Sequence, residues 1–595
     1  MRKDSDLLGE LLLPDDVYYG AQTLRALQMY TPSEERINRF PSYVFAMATI
    51  KKACAIANGK IGVLDSDRCR AIVQACDEMI DHRFDGELIS DMLCGGDLVA
   101  VHMNFNEVLA CRANEILTGH KGFDAVQPNT HVNAGLSTCD STYTAGRFAL
   151  YFDLGRVVEN TRKLSDAYRK LADDNRDRVK VSHTCFQDAA PIAVGQFYDA
   201  SVSVLDRHIR LLEQLREESL IHAIGGTVIG TGLGVFAGFE AHIQDALEAC
   251  LGVRPIVADC PFDDRQYGDY FLRVSGCLKS LAAAISKMAR DIRIMSSGPR
   301  AGWAEITIAP VQNGSSFFPG KVNPSLPELM IMAAYEICGM DMSVTMAVEG
   351  GEVDCTPWYP VFIVNTLKEA DTLNRTLPAF AERCVATIRM NDTLNQYKAD
   401  RSLGMACIAS ALFGYKHAIA VAQYASTHDV PVKDAVVALG LRKSLPTTNR
   451  QAYLNVLKVK IFRKTQKTLY VIIQILAALP KKHRVKIDRR GKWDGDQPRL
   501  PPGERVQQKC RGGSVGNELL DHAELAGIEQ YIRPQLPLGK QGQHCARRRS
   551  IGTKENERLA PQHGNIDGRC VGQPVCRTDA QHQLCPGQSQ VRKLR

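Results

Sequence analysis

The chain has 595 residues, 45% hydrophobic and 23% charged, a balance that excludes a wholly disordered, collagenous or membrane-spanning protein. Its net charge of +7 hides a split: 45 basic and 54 acidic side chains lie in residues 1–450, and 28 and 12 in residues 451–595, so a mildly acidic body precedes a strongly basic tail. From the amino end, residues 1–40 predict an extended or hairpin-like entry with a turn at Pro14, Asp15 and Asp16, before YYGAQTLRAL takes up a helical spacing. No apolar stretch of signal-peptide length follows the first basic residues, and 19 cysteines are scattered without a repeating spacing, so a reducing cytoplasmic setting is expected. Apolar residues then recur at three- and four-residue steps in SYVFAMATIKKACAIANGKI, GRFALYFDLGRVVENTRKLSDAYRKLADDNRD, AAPIAVGQFYDASVSVLDRHIRLLEQLREESLIHA and FLRVSGCLKSLAAAISKMARDIRIMSSG. These spacings predict long helices packed side by side as a bundle. ELMIMAAYEICGMDMSVTMAVEG is apolar enough to predict burial on several faces, including faces between subunits. The longest apolar run, residues 469–479, is too short to cross a bilayer.

Loops rich in Gly, Ser, Thr, Asn and His interrupt the helices, and chemistry is expected there. They include CGGDLVAVHMNFNE, QPNTHVNAGLSTCDS, VSHTCFQD and QNGSSFFPGKVNPSLPE. In the last, Ser315 and Ser316 follow a glycine, Lys321 and Asn323 come soon after, and a helix opens at Pro324. Small donors, a cation and a helix N-terminus suit a carboxylate ligand; the plainer reading is a Gly/Ser turn with a solvated lysine. GGTVIGTGLG has nucleotide-loop glycines but lacks a preceding strand, a Gly-Lys-Thr/Ser ending and an acidic residue at the expected offset, which argues against nucleotide binding.

GSSFFPGKVN resembles the GSSxxPxKxN signature of the aspartase/fumarase superfamily, and the other loops resemble its active-site segments in the same order. The likeness runs from about residue 6 to about residue 441 and is nearest the aspartate ammonia-lyase branch. It implies a mainly α fold: a three-domain subunit (1–137, 138–390 and 391–441) whose central long-helix bundle assembles into a homotetramer, with active sites drawn from three chains. It implies a cofactor-independent lyase that removes a proton beside a carboxylate and releases fumarate by anti β-elimination. No metal, membrane or specific nucleic-acid partner is expected, since the tail's cysteines lack paired short spacings, the apolar runs are short and the tail's basic runs lack aromatic residues. By the same likeness Ser315 is the general base. Ser316, Ser137 and Thr138 hold the carboxylate that becomes the aci-acid, and Thr184, Lys321 and Asn323 hold the other.

Three positions that contact the leaving amino group in the ammonia-lyase pattern are here Val99, Cys139 and Cys185. One aliphatic side chain and two thiols are poor partners for a buried ammonium, so a substituted amine on aspartate stands as an alternative leaving group. A noncatalytic tetrameric scaffold is a third reading, opposed by the intact GSSFFPGKVN loop. Glu328 matches an acid that pairs with the residue now Cys185, and also reads as an acid favourably placed at a helix N-terminus. His131, in PNTHVN, resembles a secondary anion site or serves as a loop-fixing imidazole. Cys139 and Cys185 read as small core fillers more readily than as a metal or redox pair. Residues 442–595 lose helical periodicity and read as a basic, disordered or frame-altered tail.

Overall fold

A computed structural model describes residues 1–29 and 35–441; the expectations for 442–595 lie outside the described residues. The entry is a hairpin, β1 (Arg2–Asp6) against β2 (Gly9–Leu13), paired Arg2 with Leu13 through Asp6 with Gly9. The chain reverses at the exposed Leu7 and Leu8 rather than at Pro14 to Asp16, which form a later bend. Helices α1 (Ala21–Met29), α2 (Pro41–Lys60), α3 (Ser66–Ile80) and α4 (Val99–Thr118) follow. Pro41, at the first position of α2, sits where its missing N–H costs nothing. Helix α2 is then buried on nearly every side, packed among α3, the long α5 (Thr138–Asp174) and α7 (Glu240–Leu251).

Helix α5, of 37 residues, starts at a capping box: Asp140 N donates to Ser137 Oγ, and Ser137 N donates to the Asp140 carboxylate at 2.8 Å. It packs on α6 (Val194–Glu218) and α11 (Tyr359–Arg383), while α9 (Asp269–Met295) and α10 (Ser325–Glu349) complete the bundle, with the short α8 (Pro261–Gln266) before α9. The bundle core runs from Ile37 to Ile388. Past it, α12 (Asp392–Arg401), α13 (Ala406–Phe413), α14 (Tyr415–Thr427) and α15 (Val432–Ala438) follow, and Met405, Ala409, Val421 and Val436 belong to a second, separate set of buried side chains.

The segment after α5 differs from the loop-then-helix predicted for it. Residues VSHTCFQDAAPIA form a hairpin, β3 (Val179–Thr184) against β4 (Gln187–Ala193), and α6 begins only at Val194. The two turn residues, Cys185 and Phe186, both have positive φ, 52° and 59°, which is the twist a two-residue hairpin loop demands and which a Gly or Asn usually supplies.

Among the described residues one helix, α10, is long and apolar enough by length and composition to cross a bilayer. One side of it packs on α9 and α11. The other presents Leu329, Met332, Tyr335, Met342 and Met346 at helical spacing, all exposed in the single chain.

Candidate functional site

The loop before α10 carries its geometry in short-range contacts. Gly314 N donates to Lys321 O at 2.9 Å, and Asn323 Nδ2 donates to Gly314 O at 2.9 Å, so the ends of the loop are tied together. Position 314 must be glycine: a Cβ there would meet Lys321 O at 2.5 Å and Asn323 N at 2.7 Å. Inside this tie, Ser315 Oγ accepts two backbone hydrogen bonds, from Phe317 N at 3.0 Å and Phe318 N at 2.8 Å. Donors aimed at an oxygen favour its charged form, so these two amides lower the cost of an alkoxide at Ser315. Ser316, Lys321 and the edge-to-face pair Phe317 and Phe318 are exposed, Ser315 and Asn323 half-buried. Glu328, in the first turn of α10, pairs with Arg293 at 3.3 Å.

A second group surrounds the start of α5. Thr138 Oγ1 lies 3.1 Å from His102 Nδ1, and His102 Nε2 lies 2.8 Å from the buried Lys51 Nζ, which also donates to Asn133 Oδ1 at 2.8 Å. Burial lowers the Lys51 pKa to about 8. Burial, then the Lys51 charge, hold the His102 imidazole well below its ordinary range, so it is neutral. With Lys51 donating to Nε2, the single ring proton sits on Nδ1 and goes to Thr138 Oγ1, which leaves the Thr138 hydroxyl proton for a ligand. Ser137 is differently committed, its hydroxyl donating to Asp140 Oδ2 at 3.1 Å. Asp140 is itself wholly buried, held by Arg265 at 3.0 Å and by the amides of Gly225 and Thr227, each at 3.1 Å. The GGTVIGTGLG glycine loop therefore buttresses α5.

Val99 and Cys139 part company here. Val99, the first residue of α4, is 45% exposed, whereas Cys139 is 2% exposed and turns inward. Its thiol donates to Asp97 Oδ2 at 3.5 Å, and Tyr143 Oη donates to Asp97 Oδ1 at 2.5 Å. Cys355, from the loop before α11, joins them, its Sγ 3.4 Å from Tyr143 Oη. A stacked contact of Tyr143 on Tyr359, with ring centroids 3.3 Å apart, fixes α11 against the start of α5. Burial raises the Asp97 carboxyl. The hydrogen bond between the two thiols, with burial, raises Cys139, and the same bond lowers Cys355.

Thr184 and Cys185 form the third group, exposed at the tip of the β3–β4 hairpin. The hairpin is anchored by His183, whose Nε2 donates to the fully buried Glu305 at 2.8 Å and whose ring lies 4.1 Å from that of Trp303. Burial acts to raise Glu305, and Lys180, His183 and Lys398 outweigh it, holding the carboxylate below its usual range. His131 lies apart in the Pro128–Val132 turn, its Nδ1 accepting from Gln127 N at 2.9 Å, the contact of a loop-fixing imidazole. Burial and then the Arg68 charge lower its pKa.

Within one chain, then, Thr138 and Ser137 lie together, Ser315, Ser316, Lys321 and Asn323 share a loop, and Thr184 and Cys185 share a hairpin tip. Among the described residues no hydrogen bond or ion pair joins these three groups. Sequence reasoning passed over Lys51, His102, Asp97, Tyr143 and Cys355. Lys51 left a signal, falling on the same helical face as Met47, Cys54 and Asn58, all buried.

Residues 9–339 match the family described as lyase. An aspartate ammonia-lyase of Helicobacter pylori is 32% identical over 435 residues, 73% of this chain and 93% of that protein. A class II fumarate hydratase of Thermosynechococcus vestitus is 34% identical over 441 residues, 74% of this chain and 94% of that protein. Among solved structures, a fumarate lyase:delta crystallin of Brucella melitensis matches with a TM-score of 0.71 at 34% identity, covering 74% of this chain and 96% of that one. Likeness of similar strength to an ammonia-lyase and to a hydratase leaves the choice of leaving group to the side chains.

Proposed function

This chain belongs to the lyase family that includes aspartate ammonia-lyases and class II fumarases, and from that premise we propose that it eliminates ammonia from L-aspartate to give fumarate. The observation that carries the proposal is the Ser315 oxygen, poised on two backbone donors in a loop that also presents Ser316, Lys321 and Asn323. Ser315 takes the proton beside a carboxylate, and the developing aci-carboxylate needs donors that meet it in the transition state. Thr138, its own proton freed by His102, is one such donor; Ser316, from the Ser315 loop, is a second, and Ser137 joins them only by giving up its bond to Asp140. Thr184, Lys321 and Asn323 hold the second carboxylate. Desolvation on loop closure further raises the basicity of Ser315.

Among the described residues no hydrogen bond or ion pair joins the three groups within a chain, and on our reading the working site is assembled from copies of it. The uncovered apolar stripe on α10 supports a homotetramer built around that helix. On this reading residues 1–137, 138–390 and 391–441 are the subunit's three domains, and the enzyme is cytoplasmic and needs no cofactor.

A second reading keeps the mechanism and changes the leaving group to a substituted amine. It is favoured by the exposed, aliphatic Val99 and by the inward turn of Cys139, which leave few polar partners for an ammonium. The test is fumarate formation, followed by ultraviolet absorbance, from L-aspartate, L-malate and a panel of N-substituted aspartates, beside Ser315→Ala. Activity on aspartate that the variant loses is the expected result. Turnover of substituted aspartates alone selects the second reading, and silence on every substrate overturns both.

A further inference from the structure

The elimination leaves unused a set of ligand-bearing side chains directly behind Thr138. Asp97, Cys139 and Cys355 each offer one atom, and these atoms lie within 4.8 Å of one another. From Asp97 Oδ2, Cys139 Sγ is 3.5 Å away and Cys355 Sγ 3.9 Å. In a tetrahedral zinc site, with Zn–S about 2.3 Å and Zn–O about 2.0 Å, the sulfur-to-oxygen edge is about 3.5 Å. One edge of the cluster already has that length, and the other exceeds it by less than half an ångström. The arrangement is held from outside the cluster. Tyr143 Oη fixes the second oxygen of Asp97 at 2.5 Å, as the hydrogen-bonded partners of metal-ligating carboxylates do. Both ligand-bearing loops adopt costly backbone: Asp97 and Leu98 have φ of 57° and 63°, and Val353, two residues before Cys355, has φ of 50°. The fully buried Arg265, paired with Asp140 and Asp264, lies over the Tyr143 ring, 5.9 Å from its centroid, and backs the cluster from that side. Cys139 is buried, but Asp97 and Cys355 are part-exposed, which gives an ion a way in.

We propose that Asp97, Cys139 and Cys355 form a binding site for a borderline-soft divalent cation of the zinc class, two sulfurs and one oxygen from the protein with water completing the tetrahedron. The ion ties the loop before α11 to the loop before α4 and to the first turn of α5, and so stiffens the segment that carries Thr138. The site takes no part in the elimination and stands whichever leaving group the enzyme takes.

The test uses the full chain, stripped of metal with a chelator under reducing conditions and titrated with Co2+ as a spectroscopic probe. The expected result is a thiolate-to-cobalt charge-transfer band that saturates at one ion per chain above any contribution from other thiols and is displaced by Zn2+. That increment disappears in Cys139→Ser/Cys355→Ser and persists in Cys407→Ser, which changes an exposed cysteine remote in sequence. A measurement on the unaltered protein guards against misfolded variants: with Zn2+ at ten times its dissociation constant, alkylation of Cys355, located by peptide mass, slows about tenfold. No cobalt band, a band undiminished in the double variant, or a Cys355 alkylation rate indifferent to Zn2+ would each overturn the proposal. So would the loss of two titratable thiols without bound metal, which would mark the pair as a disulfide.

Discussion

The Ser315 loop and the buried polar interior around α5 are built on opposite plans. The loop's hydrogen bonds span at most thirteen residues of chain, and most of its side chains face outward. The interior ties Lys51 to Asn133, Gly225 to Asp140 and Asp97 to Cys355 across separations of 82, 85 and 258 residues. A loop that carries its geometry locally can be presented to another copy of the chain without losing shape. An interior closed by distant contacts can hold Thr138 still but cannot be altered at one residue without disturbing several. Cys139, which departs from the ammonia-lyase pattern, packs against Asp97 and Cys355, whereas the exposed loop keeps the GSSxxPxKxN pattern.

The contrast sharpens through substitutions, in descending effect on turnover. Ser315→Ala removes the oxygen that the two amides prepare, and the rate of fumarate formation should fall about 10²–10⁴-fold, the usual worth of a positioned base. The melting temperature should stay unchanged, since the side chain packs against nothing distant. Gly314→Ala tests whether the loop's shape matters as much as its chemistry. The new Cβ collides with Lys321 O and Asn323 N, backbone atoms that yield only if the loop opens, and a displacement of about 1 Å at a base is worth about 10²-fold in rate. Again melting should barely move. Equal turnover in this variant would break the claim that Ser315 depends on the tie between Gly314 and Asn323.

Lys51→Met does the reverse. It leaves His102 Nε2 and Asn133 Oδ1 without the donor they share, at a cost of about 1–3 kcal/mol in stability. The imidazole then keeps only the longer contact from Asn106 Nδ2 to Nε2, at 3.3 Å, so the proton at Thr138 is less firmly defined, and the KM for the dicarboxylate should rise about tenfold, or 1.4 kcal/mol, with a smaller change in kcat. A fall in kcat with KM unchanged would show that Thr138 serves the transition state alone.

The same contrast explains what could be read in the sequence. Helical periodicity announced α2, α5, α6, α9 and α10, and GSSFFPGKVN announced a loop built on Gly314 because its constraints lie within ten residues. The β3–β4 hairpin stayed hidden, for Cys185 and Phe186 turn the chain in a conformation usually left to Gly or Asn, and AAPIA mimics the helical pattern that follows it. Asp97 passed as one more residue of CGGDLVAVHMNFNE and Cys355 as one more cysteine, since only folding brings them to the start of α5. His183 stands next to Thr184, and its anchoring role became intelligible once its partner Glu305 was placed 2.8 Å away.

A fourth substitution leaves turnover alone and reads the interior by itself. Glu369, fully buried among α9, α10 and α11, shares the Ser275 hydroxyl with Asp341, at 2.9 Å and 3.0 Å. One hydroxyl proton cannot serve both carboxylates, and burial pushes the Glu369 pKa up to about 8, so its own proton supplies the missing bond. Because the folded pKa lies above the ordinary value of 4.5, the folded protein retains a proton that the unfolded chain releases between those limits. Stability is therefore full below about pH 4.5, falls by at most about 1.4 kcal/mol per pH unit as pH rises, and levels off above about pH 8. Glu369→Gln keeps the shape and has no proton to lose. Its melting temperature should match wild type near pH 5 and exceed it by several degrees near pH 8, with the activity profile unmoved. A wild-type stability curve equally flat in both proteins would mean that Glu369 is ionised in the fold and that the bundle core, like the loop, lets water reach its charges.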